Sequence, residues 1–490
     1  MELCAERREK RSDRTSSGGL HNGADGVWPL LRTCTDPPLT TASVSRRLYY
    51  QAPPYNCQTV LQPELTENQL KKKYTFTNHV LHFVVCASIF MSACSETNID
   101  NISDTGSDYL IVWAGDKDGK DSDFLAVIDV RRSASTYGEI ISTLPVGAKG
   151  TMPHHTEYEY PPNDILFANG WVAGQTFLID LSDPLNPRLT GEFTSSDGYS
   201  YPHSFARLPD GNVLATFQSE GDFYAPPGGL VKLDAKGSAI QSASSRTSDI
   251  PDSLNWPYSL AVLPDIDRVI TTSADMGMPP WHEWNYSYTY HVQIWSLRNL
   301  ELLASIPLPE VEQGPYHIAP AEPRVLPDGS VYVSTFSCGL YHIEGIDIDT
   351  PKAAFVHAFP GSLDMGSECA VPVVVDNYWI QPVAALPGIV VLDISNPTNP
   401  VEVSRLTLGM RYMMPHWIAA DRASNRIVIT GHEMSWVLIA ELDPDTGELT
   451  IDSDFQEKDA FYPGIDFNRT TWPHGETGSA VVHGALFRNK

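Results

Sequence analysis

From residue 108 onward the chain is a succession of short apolar runs separated by turn residues, with no segment of helical period among them. Ser-Phe-Ala-Arg-Leu at 204–208 is followed by Pro-Asp-Gly at 209–211 and then by Val-Leu-Ala-Thr-Phe. The same turn stands at 327–329, ahead of Val-Tyr-Val-Ser-Thr-Phe. Proline pre-sets φ and glycine supplies the positive φ, so each such triplet predicts a hairpin between two strands. Third strands are predicted to end at Asp180, Asp234, Trp295, Ile343, Asp393 and Ala440. After two of these the chain reads Ser-Asp-Pro-Leu-Asn-Pro (182–187) and Ser-Asn-Pro-Thr-Asn-Pro (395–400), each leading into a fourth.

One phrase marks the start of each group of four. Pro-His stands at 153–154, 202–203, 415–416 and 473–474, Pro-Tyr-His at 315–317, and Trp-Pro-Tyr at 256–258 keeps the frame without a histidine. With 38 prolines in 490 residues, 15 histidines would follow one only about once by chance. A period near fifty residues in an all-β pattern selects a propeller over a sandwich. First strands are predicted to begin near 154, 203, 258, 317, 370, 416 and 474. The fold expected is therefore an all-β, seven-bladed β-propeller. Three N-terminal strands, 108–115, 123–130 and 138–146, join the C-terminal Trp-Pro-His stretch in the last blade and close the ring.

Ahead of this body (108–490) the pattern changes. Residues 1–73 carry no sustained periodicity and read as a disordered or misassigned extension. Residues 74–95 follow three lysines and hold an almost wholly apolar run from Val80 to Ala93, too short for an ordinary span and patterned like a signal peptide. Met-Ser-Ala-Cys94 also admits a lipobox reading, and 96–107 form a polar linker. Sequons at Asn101, Asn285 and Asn468 are compatible with export. The expectation is a secreted or extracytoplasmic protein beginning near Ser95, with no integral membrane domain after processing. The alternative is a cytoplasmic one.

Charge narrows the partners. Residues 1–73 carry a net +3, which leaves about −30 on the remainder of a chain whose total is −27. A body so acidic argues against nucleic acid and anionic membrane.

The first strand of a propeller blade lines the central channel, so the Pro-His pairs point into one mouth of it. Two readings stay open. The histidines are channel-lining polar groups bound to water, or they hold a metal. The doubled His154-His155 and the convergence of up to five imidazoles favour the metal, and imidazole suits copper, zinc, iron and nickel. His342 and His432, beside second and third strands, read as structural. An insertion at 273–290 carries His282 with Trp281, Trp284, Tyr286 and Tyr288, and opens on the same face, where its aromatics either roof the mouth or pack against the neighbouring blade. Cys338 and Cys369 fall on one face of adjacent blades, where either a disulfide or two separate thiols fits.

Several of these stretches resemble the selenium-binding protein / methanethiol oxidase family. They are Asp-Phe-Leu-Ala-Val-Ile-Asp-Val (123–130), Thr-Leu-Pro-Val (143–146) leading to His154-His155, the strand ending at Asp180 with Asp-Pro-Leu-Asn-Pro-Arg-Leu, His203, Val-Leu-Asp-Ile-Ser-Asn-Pro-Thr-Asn-Pro (391–400) and Pro-His474-Gly-Glu. The resemblance implies a seven-bladed propeller and a copper-dependent oxidation of a small thiol such as methanethiol by O₂ and water. The products would be formaldehyde, hydrogen sulfide and hydrogen peroxide. It places ligands on His154, His155, His203 and His474; His416 joins them through the internal repeat alone, and His317 is left open. The family's cysteine pair after the double histidine is missing here, since 156–180 contain no cysteine, and its acidic, cysteine-containing ending is replaced by Ala-Val-Val-His483-Gly-Ala-Leu-Phe. Cysteine-based selenium binding therefore does not carry over. Two other functions compete: a non-catalytic selenium-, metal- or protein-binding scaffold, and a calcium-dependent hydrolase, which would call for carboxylates rather than imidazoles at the mouth.

Overall fold

The computed structural model describes residues 106–277, 289–348, 350–361 and 368–488. The readings of 1–105, and those of His282 and its neighbouring aromatics, lie outside them.

Among the described residues there are seven sheets and no α-helix. Blade 1 runs outward through Pro153–Thr156, Ile165–Gly170, Gln175–Asp180 and Arg188–Phe193. The inner strands of blades 2 to 6 are Tyr199–Arg207, Pro257–Leu263, Pro320–Val325, Val373–Val375 and Pro415–Asp421. In blade 7 the last strand of the chain, Ala480–Arg488, is innermost, followed outward by Tyr109–Asp116, Phe124–Asp129 and Ile140–Pro145. Each inner strand packs beside the next around the ring, and Ala480–Arg488 returns to Pro153–Thr156.

Burial follows this layering. Second strands lie between neighbouring blades and are covered on both faces; Val213–Glu220 is buried over all but its last residue. Outermost strands hold mostly partly buried and exposed positions, and Arg188–Phe193 alternates strictly between the two. Cores form between blades: Trp113, Leu125 and Val127 of blade 7 pack with Leu166, Phe177 and Ile179 of blade 1. Each such side chain contributes about 1.5–3 kcal/mol by burial.

Both Pro-Asp-Gly hairpins form, with Gly211 at φ +84° and Gly329 at φ +85°. The start of each inner strand is a more specialised device. Met152, Tyr201, Ala319 and Met414 precede a proline and take positive φ, between 54° and 58°, a conformation that costs a non-glycine residue about 1–2 kcal/mol. In three of the four blades the carbonyl of that residue accepts the N–H of the residue just past the second strand: Trp171 to Met152, Phe336 to Ala319, His432 to Met414. A register shift then follows the proline, at 153/156, 320/323 and 415/417, with a matching one at 257/260 in blade 3. The bulge puts an extra residue into the channel wall of each of these blades.

The ring is closed by polar ties as well as strands. The Asp421 carboxylate accepts from the Ser107 N–H at 2.8 Å and from Arg426 at 3.0 Å, while Arg426 also donates to the carbonyls of Val130 and Ser107. Burial would raise the Asp421 carboxyl, but its bonds to Ser424, Ser107 and Arg426 outweigh that and hold it below its ordinary value. Cys338, in the turn after the second strand of blade 4, is disulfide-bonded to Cys369 at the entry to blade 5, with Cα atoms 4.9 Å apart. Of the two cysteine readings, the bonded one is made.

Candidate metal centre

The position after the repeated proline, which opens the inner strand in blades 1, 3, 4 and 6 and lies within it in blade 2, faces the channel. It holds His154 in blade 1, His203 in blade 2, Tyr258 in blade 3, Ala321 in blade 4 and His416 in blade 6. Blade 1 adds His155 through its bulge, and blade 7 presents His483. Ring centroids of His154 and His155 are 4.4 Å apart with planes stacked, and His203 is 4.9 and 4.4 Å from them. His483 lies 4.1 Å from His154 and 4.5 Å from His416. His432 follows, 4.8 Å from His416. Ligand atoms fall into three sets, each lying within 4.8 Å: His154, His155 and His203; His154, His416 and His483; Glu368, His416 and His432.

The hydrogen bonds fix which nitrogens are available. His203 Nδ1 is 2.9 Å from the Tyr258 carbonyl, which can only accept, so Nδ1 carries the proton and Nε2 keeps its lone pair. His155 Nδ1 is 2.9 Å from Ser204 Oγ, a hydroxyl that can donate or accept, so this contact orients the ring without setting its tautomer. The Nε2 atoms of His155, His203, His416 and His483, and both nitrogens of His154, are buried without a hydrogen-bond partner. An unsatisfied buried polar atom costs about 1–3 kcal/mol, and five imidazoles with unpartnered nitrogens gathered together offer the donor set of a late first-row metal. Burial, and then the neighbouring imidazoles, push His154, His155, His416 and His483 well below the usual histidine value; burial takes His203 down to about 3. All five are therefore neutral at physiological pH, the form a metal requires.

Of the residues singled out from sequence, His154, His155, His203 and His416 come together. His474 does not. Its Nδ1 meets Thr143 Oγ1 at 2.8 Å and its Nε2 meets Thr477 Oγ1 at 3.2 Å, with the ring against Phe124 in the third strand of blade 7. The expected inner strand at 474 begins instead at Ala480, because Gly475 and Gly478, both at positive φ, interrupt the chain first. His483 stands where His474 was expected. His317 also lies ahead of its strand: the opening proline of blade 4 is Pro320, and His317 faces Glu310 at 3.9 Å. His432, read as remote from the channel, is in the ring contacts of the cluster; it occupies the position held by Trp171 and Phe336 in their blades. His342 is in a third strand with its ring against Tyr332.

Above the imidazoles the wall is apolar. Trp171, Met276, Ala321 and Phe336 form one buried cluster with Tyr258, and the Trp171 ring is 5.3 Å from His203. Below them the channel is plugged. The Tyr158 ring stacks on Trp417 at 5.2 Å with Arg324 4.1 Å over its centroid. Its hydroxyl bonds Glu322 Oε2 at 2.8 Å and Ser259 Oγ at 2.9 Å, and lies 3.4 Å from His155 Nδ1 and from Ser204 Oγ. On the far side a cavity of about 320 Å³, lined by Tyr158, Arg324, Arg207 and Arg422 among others, opens toward the other face.

Comparison with known proteins agrees with this architecture. A profile of the LVIVD repeat matches residues 383–407, in blade 5. A protein of Hyphomicrobium named methanethiol oxidase is 30% identical over 170 residues, covering 34% of this chain and 38% of that protein. One of the same name from Ruegeria pomeroyi is 27% identical over 149 residues, covering 29% and 34%. Selenium-binding protein 3 of Arabidopsis thaliana is 28% identical over 129 residues, covering 23% and 27%. The matched stretches thus span about a third of the relatives' length. Among solved structures, a hypothetical selenium-binding protein from Sulfolobus tokodaii superposes with a TM-score of 0.62 at 17% identity, over 78% of this chain and 94% of its own. A putative 6-phosphogluconolactonase from Bacteroides fragilis reaches 0.55 at 10% identity, over 79% and 99%, a likeness of fold alone. The chain is a distant homologue of proteins named methanethiol oxidase and selenium-binding protein, folded as a seven-bladed β-propeller.

Proposed function

We propose that this protein oxidises a small thiol, such as methanethiol, with O₂ at a copper centre held by His154, His155, His203 and His483, with His416 beside them. The observation that carries the reading is the set of inward-facing, neutral, unpartnered imidazole nitrogens. Copper, when bound, supplies the one-electron redox chemistry and favours the thiolate form of the substrate. The overall conversion, CH₃SH + O₂ + H₂O → HCHO + H₂S + H₂O₂, moves two electrons from the methanethiol carbon to O₂.

The chain's own residues do the rest. The Tyr258 carbonyl holds His203 in the tautomer that leaves Nε2 free, and the Ser204 hydroxyl orients the ring of His155. The apolar wall of Trp171, Met276 and Phe336 suits a methyl group and excludes water. Tyr158, between His155 and Glu322, offers a hydroxyl through which protons can move toward the far cavity. Its ionisation is pushed up by burial and then by the Glu322 charge, so it acts as a neutral donor and acceptor. A selenium-binding role through thiolate has no group to use in the propeller, because its two cysteines are bonded to each other. That disulfide also supports export to an oxidising compartment.

The test is direct. Protein stripped of metal should make no H₂O₂ from methanethiol, and reloading with copper should restore the rate. A chain that holds no metal after copper loading would leave only the scaffold reading. One that binds copper but consumes no small thiol would keep the centre and reject the substrate.

A further inference from the structure

The three ligand sets have an internal order that one ion does not explain. The set His154, His155, His203 and the set Glu368, His416, His432 share no residue. The third, His154, His416, His483, takes one member from each and adds His483. Donor atoms of a single ion about 2.0 Å away lie within about 4 Å of one another. Seven residues strung along an arc therefore exceed what one ion can gather. The linking residues are suited to serve both ends. His154 has both ring nitrogens buried and without a hydrogen-bond partner. His416 has its Nδ1 3.7 Å from Glu368 Oε2, while its Nε2 is buried without one. The two ends also differ chemically: the first is all imidazole, the second includes a carboxylate, 17% exposed, at the entry to blade 5.

We propose that the cluster is a two-ion centre, with one ion on His154, His155 and His203 and a second on Glu368, His416 and His432, and with His483 between them. The inference rests on the reading of the cluster as a redox-metal site. It adds that the second position is built by blades 5 and 6, with His432 supplied from the end of a second strand rather than from the channel wall. Copper changes by one electron, and the conversion above transfers two, so a pair of ions matches the stoichiometry of the reaction.

The experiment is a count. Full-length protein, stripped and kept anaerobic, is titrated with Cu(I) against a chromophoric chelator, and bound copper is confirmed by elemental analysis. About two equivalents are expected. Glu368→Gln and His432→Ala should each reduce the count to about one, and His155→Ala should also reduce it to one by removing the other ion. Glu368→Gln keeps the side chain's shape, so it serves if His432→Ala fails to fold. One equivalent in the unaltered protein, unchanged in Glu368→Gln, would overturn the two-ion centre and leave the proposed function standing. No tightly held copper at all would overturn both.

Discussion

The ring of His483 lies 4.1 Å from that of His154, across the joint where the last strand of the chain meets the first blade. Closing the propeller and assembling the centre are thus one event. His483→Ala should cost the protein copper while the blades remain folded, because the ring lines the channel rather than filling a core. His474→Ala, whose two nitrogens are spent on Thr143 and Thr477, should leave bound copper unchanged. Elemental analysis of the two variants side by side checks both, and the reverse pattern would restore His474 as the ligand.

The same joint depends on a glycine. A Cβ placed on Gly484 would lie 2.9 Å from the His154 carbonyl oxygen and 3.1 Å from Thr156 Cγ2. Neither neighbour can retreat without moving the strand that carries both histidines. Gly484→Ala should therefore destabilise by roughly 1–3 kcal/mol, the usual range for overpacking, and weaken copper binding as well. Thermal unfolding and the chelator competition would show the two losses together; a stable variant with full affinity would mean the strands are looser than their packing implies.

Much of this was legible before the fold was known, and the exceptions have physical causes. Proline at a strand's first position needs no donor, so Pro-His announced His154 and His416, and the same phrase marked His203 although Pro202 lies inside its strand. His483 enters its strand behind Val482 instead, with no proline to announce it, and the Trp-Pro-His copy six residues upstream of the strand drew attention to His474. The apolar run Ala-Val-Val-His-Gly-Ala-Leu-Phe, following two glycines, was the available signal for the true strand. His432 was hidden differently. It lies one residue beyond a second strand, where its N–H is clamped to the Met414 carbonyl. Aligning it with Trp171 and Phe336 across the repeats would have marked the position.

The disulfide closes a loop of 31 residues between blades 4 and 5. Loop-closure entropy assigns it about 3–4 kcal/mol. Replacing both cysteines by serine should lower the unfolding midpoint accordingly while leaving the imidazole set of blades 1, 2 and 7 intact. Denaturant unfolding with and without reductant measures the difference, and an unchanged midpoint would show that the bond adds nothing to the packing around it.

The tie between Asp421 and Arg426 sets a pH dependence. The folded Asp421 carboxyl lies below its unfolded value of about 3.9, so its contribution is complete above that pH and fades as pH falls through the folded value. Stability at neutral pH should drop by roughly 3–5 kcal/mol in Asp421→Asn, which leaves Arg426 buried without its charge partner. The same variant should lose less than the unaltered protein on acidification below about pH 4. Urea unfolding at neutral pH and near pH 3.5 checks the sign; equal acid sensitivity in both proteins would show that other carboxylates carry it.

Tyr158 separates metal binding from turnover. Its hydroxyl touches no part of the ligand set through an Nε2 atom, yet it is 3.4 Å from His155 Nδ1 and 2.8 Å from Glu322 Oε2. The ring itself is fixed by Trp417 and Arg324 and should stay in place when the oxygen is removed. Tyr158→Phe should therefore keep its copper and its fold. What it loses is the hydroxyl that connects the nitrogen behind His155 to the buried Glu322 carboxylate, whose ion-pair partner Arg324 lines the far cavity. Turnover of methanethiol should fall roughly tenfold or more, the scale on which partners of a ligand act, with KM little changed. A solvent deuterium isotope effect on kcat larger than in the unaltered protein would show that proton movement has become limiting. If kcat is unchanged, Tyr158 is only a plug, and protons reach the centre from the histidine face. If copper is lost with the hydroxyl, its role is to orient His155, and Ser204→Ala, which removes the other contact at Nδ1, should reproduce the loss.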